Sequence, residues 1–247
     1  MVGGMEILPY ALAAVSAILV GLARTGIPGV GILAVPLMAL ADEQARMSVG
    51  KLLPLLIFAD LLTLAWYRRH GETRIILRLV PWIALGYLPG FFALRMLPEN
   101  IFRPFLGLMI LILLGLDAWR LRKGWHHLPH HPAFILLIGV LVGFSTMVAN
   151  AAGPVITIYW LANGLSKERF AASSAWLFLI LNTSKIPFYE NLGLIDWRSA
   201  AWSLMFVPLV LGGALLGRRI LRFIHPDTFN RNAIVLAALS AVVLLCS

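Results

Sequence analysis

Apolar stretches dominate this chain, and short polar or basic segments divide them. In the first half they run at about 7–23, 30–41, 49–66, 75–97 and 101–119; in the second, at about 134–149, 155–161, 170–189, 197–221 and 233–246. Crossing a bilayer core of about 30 Å takes about 20 helical residues at ~1.5 Å each. Three runs in each half meet that length, alone or with their flanks. The second run of each half falls short, and a break rich in small residues precedes it: Gly26-Ile27-Pro28-Gly29-Val30-Gly31 in one half, Asn150-Ala151-Ala152-Gly153-Pro154 in the other. The pattern predicts an all-α polytopic membrane protein. Each half holds a broken or re-entrant pair of short helices followed by three transmembrane helices.

The halves also share residues. Pro81, Gly86, Gly90 and Arg95 return as Pro208, Gly213, Gly217 and Arg222 at an offset of 127 (208 − 81), and Pro98-Glu99 with Arg103 returns as Pro226-Asp227 with Arg231 at 128 (226 − 98). One unit is written twice: residues 1–123, a basic His-rich link at 124–132, and residues 133–247. An odd number of crossings per half turns the second copy upside down. It also gathers Arg24, Arg68, Arg69, Arg74, Arg78, Arg120, Arg122, Lys123, Lys167, Arg169, Arg218, Arg219 and Arg222 on one side, leaving Arg46, Arg95, Arg103, Arg198 and Arg231 on the other. An even number would move the basic clusters of the second half outside, against the positive-inside rule. Inverted repeats with both termini on the external face are therefore expected.

Composition sharpens this picture. With 60% hydrophobic residues, 13% charged and a mean hydropathy of +0.89, little of the surface can face water. The net charge of +9 sits in clusters between apolar runs, the mark of cytoplasmic loops rather than of a nucleic-acid partner. A lone Cys246 excludes a disulfide framework, and no basic segment precedes the first apolar run to suggest a cleaved signal. Trp66, Tyr67, Trp119, Trp125, Tyr189 and Trp197 fall near span ends, where rings favour the headgroup layer.

Breaking a helix inside the membrane bares amide N–H groups at the next helix start, and an anion is a suitable acceptor for them. Glycine permits the close approach. Amides around Gly29 and Gly31, and around Ala152 and Gly153, are the expected core of an anion site at the midplane, though the same glycines also suit tight helix crossing. Polar side chains nearby are the next candidates: Arg24 and Thr25 before the first break, Ser145, Thr146 and Asn150 at the second, Ser173 and Ser174, and the dense patch Asn182-Thr183-Ser184-Lys185. Serine and threonine also bond carbonyls of their own helix. Asp60, deep in an apolar run, is expensive there and expected to work. It pairs with Lys185 across the repeats, whose copy position is 184 at an offset of 124 (184 − 60), or it carries a proton or coupling ion. Lys51 and Arg24 either snorkel to the interface or clamp the anion. His126, His127, His130 and His131 lack acidic or Cys partners, so no metal is expected. No cofactor motif and no catalytic constellation is present, and the protein reads as a non-enzyme.

The Gly-rich break, the apolar run with Pro36, the stretch Ser48-Val49-Gly50-Lys51-Leu52-Leu53, the Gly-x-x-x-Gly steps and the Pro-Glu/Asp-x-x-x-Arg endings resemble the TauE/SafE (sulfite exporter) membrane permeases. The likeness spans nearly the whole chain in layout. The family usually has adjacent glycines where this chain reads Pro28-Gly29-Val30-Gly31. The resemblance implies a secondary transporter of sulfite, an organosulfonate or another sulfur oxyanion in a bacterial inner membrane. Its partners would be the anion, the bilayer and a coupling proton or cation; a homo-oligomer is compatible. Two other classes are alternatives: a membrane-embedded enzyme on lipid-linked substrate, which would gather catalytic groups at one interface, and a non-transporting subunit of a larger complex, which would lack an internal polar centre.

Overall fold

The computed structural model describes residues 3–25, 30–67, 71–123, 132–220 and 226–246. Each apolar run is one helix except 197–221, which is two: α1 Gly3–Thr25, α2 Gly31–Leu40, α3 Ala45–Tyr67, α4 Thr73–Met96, α5 Glu99–Lys123, α6 Pro132–Ala149, α7 Gly153–Ala162, α8 Lys167–Asn191, α9 Trp197–Leu204, α10 Val207–Ile220 and α11 Pro226–Cys246. No strand occurs among the described residues. Among the described residues, five helices (α1, α3, α4, α5 and α6) are long and apolar enough to cross a membrane, and α9 with α10, bent by 45°, makes a sixth when the pair is taken as one broken span. Pro208 explains the bend: without an N–H it cannot bond the Leu204 carbonyl, and its ring crowds that turn. At 25 residues α8 is also long enough, but its polar residues, including Asn182-Thr183-Ser184-Lys185, dilute its apolar character.

The second half repeats the first element by element. The ten-residue α2 and α7 start 122 residues apart (153 − 31), as do α3 and α8 (167 − 45). The helix register therefore places Asn182, not residue 184, opposite Asp60; the offset grows only beyond that point, because α8 runs two residues longer than α3, and reaches 124 at the starts of α4 and α9 (197 − 73). The broadest pairings are α4 with α6 and α1 with α10, which exchange when the halves are exchanged; so do α2 with α11 and α5 with α7, while α3 meets α8 and α5 meets α11. The exchange extends to single glycines. A Cβ on Gly21 would overlap the Val210 carbonyl and one on Gly143 the Ile83 carbonyl; likewise Gly213 abuts Ile18 and Gly86 abuts Val140. Both members of each pair obey the same offsets, 122 (143 − 21, 140 − 18) and 127 (210 − 83, 213 − 86).

Along α3 the contacts with α8 and its flanks run in reverse order: Gly50 meets Leu194, Asp60 bonds Asn182, and beyond α3 the Glu72 amide donates to Ser173 Oγ. The two helices are antiparallel. The Pro98-Glu99-x-x-x-Arg103 motif turns out to be a clamp on the α2–α3 turn. Glu99 Oε1 accepts the Ala45 N–H at 2.6 Å at the start of α3, and Arg103 donates to the Asp42 and Glu43 carbonyls at 3.1 and 2.6 Å. A carboxylate at a helix N-terminus and a guanidinium on end carbonyls both suit the helix dipole. The outer surfaces of α4 and α5 expose Leu77, Leu85, Leu88, Phe92, Leu108 and Ile112, as a lipid-facing surface should.

Candidate functional site

Helices α1 and α2 pack as one hairpin and α6 and α7 as the other, and the C-terminal ends of α1 and α6 face the α3–α8 pair. Asp60 is fully buried on α3. Its Oδ1 lies 3.1 Å from Arg24 Nε on the last turn of α1, and its Oδ2 accepts from Asn182 Nδ2 at 2.8 Å. The Arg24 guanidinium also lies over the Phe178 ring, 4.0 Å from its centroid, and the Arg24 carbonyl accepts from Thr63 Oγ1 at 3.3 Å. The expected Asp60–Lys185 ion pair is therefore replaced by Asp60–Arg24. Lys185 stands one turn further along α8 than Asn182, and its chain reaches the end of α6 instead.

There Lys185 Nζ donates to Thr146 O at 3.2 Å, to Thr146 Oγ1 at 3.1 Å and to Asn150 Oδ1. All these acceptors are neutral, and Lys185 is fully buried. The cation meets the carbonyl end of α6, where the helix dipole favours it. Asn150 sits just past that end in the left-handed region (φ 54), and its Nδ2 donates to Val49 O at 2.9 Å. Helix α7 begins at once after it, with Ala152 at the cap and Gly153 first; a Cβ on Gly153 would meet open space. Tyr189 OH closes the same helix end by donating to Met147 O at 2.8 Å. Tyr87 OH, from α4, donates to Leu181 O at 3.0 Å and shares a bond of 3.1 Å with Ser184 Oγ.

The two hairpin ends are not level. The first lies beside Asp60 and Thr63; the second bonds Val49, eleven residues earlier on α3 (60 − 49), about 16 Å along the helix. They overlap rather than meet, and side chains span the gap. The chain Arg24–Asp60–Asn182 continues within one turn of α8 to Lys185–Asn150–Val49. Register makes this a paired arrangement: Arg24 and Thr146, Asp60 and Asn182, Thr63 and Lys185 are each 122 apart, and Thr63 bonds the Arg24 carbonyl as Lys185 bonds that of Thr146.

The other expected residues are placed as follows. Gly31 opens α2 against α1, where an added Cβ would meet Ala23 Cβ at 3.0 Å. Gly29 and the side chain of Thr25 lie outside the described residues, as do all six histidines, Trp125 and the link at 124–131. Ser145 bonds Leu141 O at 2.7 Å, and Thr183, exposed, bonds Leu179 O at 2.6 Å, both within their own helices. Ser173 accepts from Glu72, and Lys51 is engaged by Asp42 at 2.8 Å and by the Trp202 ring at 4.7 Å. None of these four bonds the cluster. Tyr87, Phe178, Thr63 and Tyr189 join it without having been singled out for it. Tyr189, expected in the headgroup belt, is buried instead, while Trp119 and Trp197 are exposed. Aromatic residues inside an apolar run carry no sequence mark that separates a hydroxyl in use from ordinary packing. No group of three or more metal-ligating side chains occurs among the described residues.

Comparison with curated proteins and with solved structures returned no match. The family described as Sulfite exporter TauE/SafE matches residues 12–244, nearly the whole chain, and the protein belongs to that family of membrane transporters of sulfur anions such as sulfite.

Proposed function

We propose that this protein is a secondary carrier of a small sulfur oxyanion, sulfite or an organosulfonate, which it binds between the ends of its two hairpins. Transport proceeds by alternating access between two inverted repeats, in a bacterial inner membrane with both termini outside. One observation carries the reading: Lys185 is a fully buried lysine whose bonding partners are all neutral, and one of them, Asn150, lies just ahead of the α7 cap. A buried charge of this kind is costly without a counter-charge, and an oxyanion would supply it. The open space at Gly153 and the amides that begin α7 favour the same occupant. Arg24 and Asp60 form the partner half of the site, with Asp60 able to hold a proton or coupling ion. Antiparallel α3 and α8, together with contacts that exchange between the halves, support a two-fold axis in the membrane plane.

Counterflow of labelled sulfite in proteoliposomes tests this. The wild type exchanges sulfite, whereas Lys185→Met, with an apolar side chain of similar length, lowers the rate by about 100-fold at unchanged yield and monodispersity. Full counterflow by Lys185→Met would remove the residue from the site.

A further inference from the structure

We infer that the buried cluster fixes the charge of the transported species: a monovalent oxyanion crosses with Asp60 ionised, and a divalent one crosses only together with one proton. The inference rests on the site assigned above. It follows from a charge sum. With Arg24 and Lys185 protonated and Asp60 ionised, the cluster holds two positive charges and one negative, an excess of one positive charge among buried side chains. A net charge is far more expensive in a low-dielectric interior than a balanced set, so the loaded carrier reorients most readily when its charges cancel. A sulfonate or hydrogen sulfite cancels the excess. A dianion overshoots by one, and a proton from the loading side must come with it. That proton rests on Asp60 or on the oxyanion itself and is released with the anion on the other side.

The groups around Asp60 leave this sum intact. From α1 it meets Arg24; from α8, Asn182, with Lys185 one turn further along and acting only through its field; one turn along α3 itself is Thr63, which bonds the Ala59 and Arg24 carbonyls. Tyr87 on α4 and Tyr189 on α8 direct their hydroxyls to carbonyls. Helix α2 carries no charged residue. On α5, Glu99 and Arg103 bind the turn before α3, and Asp117 has partners of its own. Before α9, Asp196 caps the helix beside Arg198; on α10, Arg218 lies over Trp66, near the end of α3, with Arg219 beside it.

Heteroexchange in proteoliposomes decides the matter, with methanesulfonate as the permanent monoanion, sulfate as the dianion and a trapped pH dye in the lumen. Methanesulfonate self-exchange is expected to be flat with pH. Sulfate entering against internal methanesulfonate should acidify the lumen by one proton per sulfate and speed up by about tenfold for each unit of pH lowered. In Asp60→Asn the charge sum rises by one, so sulfate exchange loses its pH dependence while methanesulfonate exchange slows. Sulfate exchange without lumen acidification, or at a rate indifferent to pH in the wild type, overturns the rule. So does methanesulfonate exchange that follows pH as steeply as sulfate. If sulfite exchanges but sulfate never does in either protein, the rule alone falls; if sulfite does not exchange either, the carrier assignment falls with it.

Discussion

Asp60 is gripped from two sides, by Arg24 at 3.1 Å and Asn182 at 2.8 Å, in a place that water does not reach. Removing one partner of a buried pair costs more than the pair contributes, because the survivor keeps its desolvation without its counter-charge. Arg24→Met is therefore expected to destabilise the protein by about 3–5 kcal/mol, and Arg24→Met/Asp60→Leu to recover most of that loss while transport stays absent. Melting temperatures in detergent check it; a double variant no more stable than the single one contradicts an ion pair here. At the surface a different carboxylate works alone. Asp196 caps α9, accepting the Ser199 N–H at 2.7 Å, and that bond, with the Ser199 hydroxyl, holds its carboxyl below the usual range. A depressed acid contributes stability above its unfolded value and loses it as pH falls through the folded value. Asp196→Ala should thus lower the melting temperature at neutral pH, and the gap from wild type should close in acid. A gap independent of pH would mean that the cap does not act through its charge. Asp60, Lys185 and Arg24 were legible in the sequence because a charge within an apolar run is seldom kept without use. Who pairs with whom was not legible, since a shift of one turn on α8 decides whether Asn182 or Lys185 reaches Asp60.

At the two broadest helix contacts, glycines let the backbones approach directly. Gly213 on α10 abuts the Ile18 carbonyl, whereas a Cβ on its neighbour Gly212 would meet nothing within 4 Å. Gly213→Ala should push α10 from α1 and destabilise by about 1–3 kcal/mol, while Gly212→Ala should be neutral or slightly stabilising through helix propensity. Thermal unfolding of the two variants separates close approach from a general need for glycine; equal losses would deny the contact. Gly143→Ala, facing the Ile83 carbonyl, should repeat the Gly213 effect in the other half. At this scale much was readable: a ten-residue helix follows each Gly/Pro-rich break, as the short runs implied. The α9–α10 bend was not readable. Pro208 causes it, yet its counterpart Pro81 sits inside unbroken α4, so a proline in an apolar run does not by itself announce a break. The Pro-Glu-x-x-x-Arg motif was visible as a repeat, but its work on the α2–α3 turn depends on a contact 54 residues away in sequence.

For the molecule as a whole, the proposed inversion rests on a single geometric relation. A two-fold axis that carries α3 onto α8, when those helices run antiparallel, must lie across them, and if both span the bilayer that axis lies in its plane. The duplication was plain from the 127 and 128 offsets, and basic clustering suggested the inversion; which residues meet about the axis emerged only in three dimensions, because the true offset for α2, α3, α7 and α8 is 122. Cysteine accessibility puts the relation to a test that separates it from parallel repeats. Cys246→Ser provides a cysteine-free background. Gln44 and Ser166, each exposed and 122 apart, precede α3 and α8 respectively and occupy equivalent places in the two copies. Parallel copies would set both on one side. Inverted copies set Gln44 outside, in the turn clamped by Glu99 and Arg103, and Ser166 inside, next to the basic start of α8. A membrane-impermeant maleimide added to intact cells should therefore label Gln44→Cys and spare Ser166→Cys until the membrane is opened. Equal labelling of both from outside would break the inversion and, with it, alternating access by exchange of the two halves. Labelling of Ser166→Cys alone would keep the inversion but reverse the orientation assigned from the basic clusters.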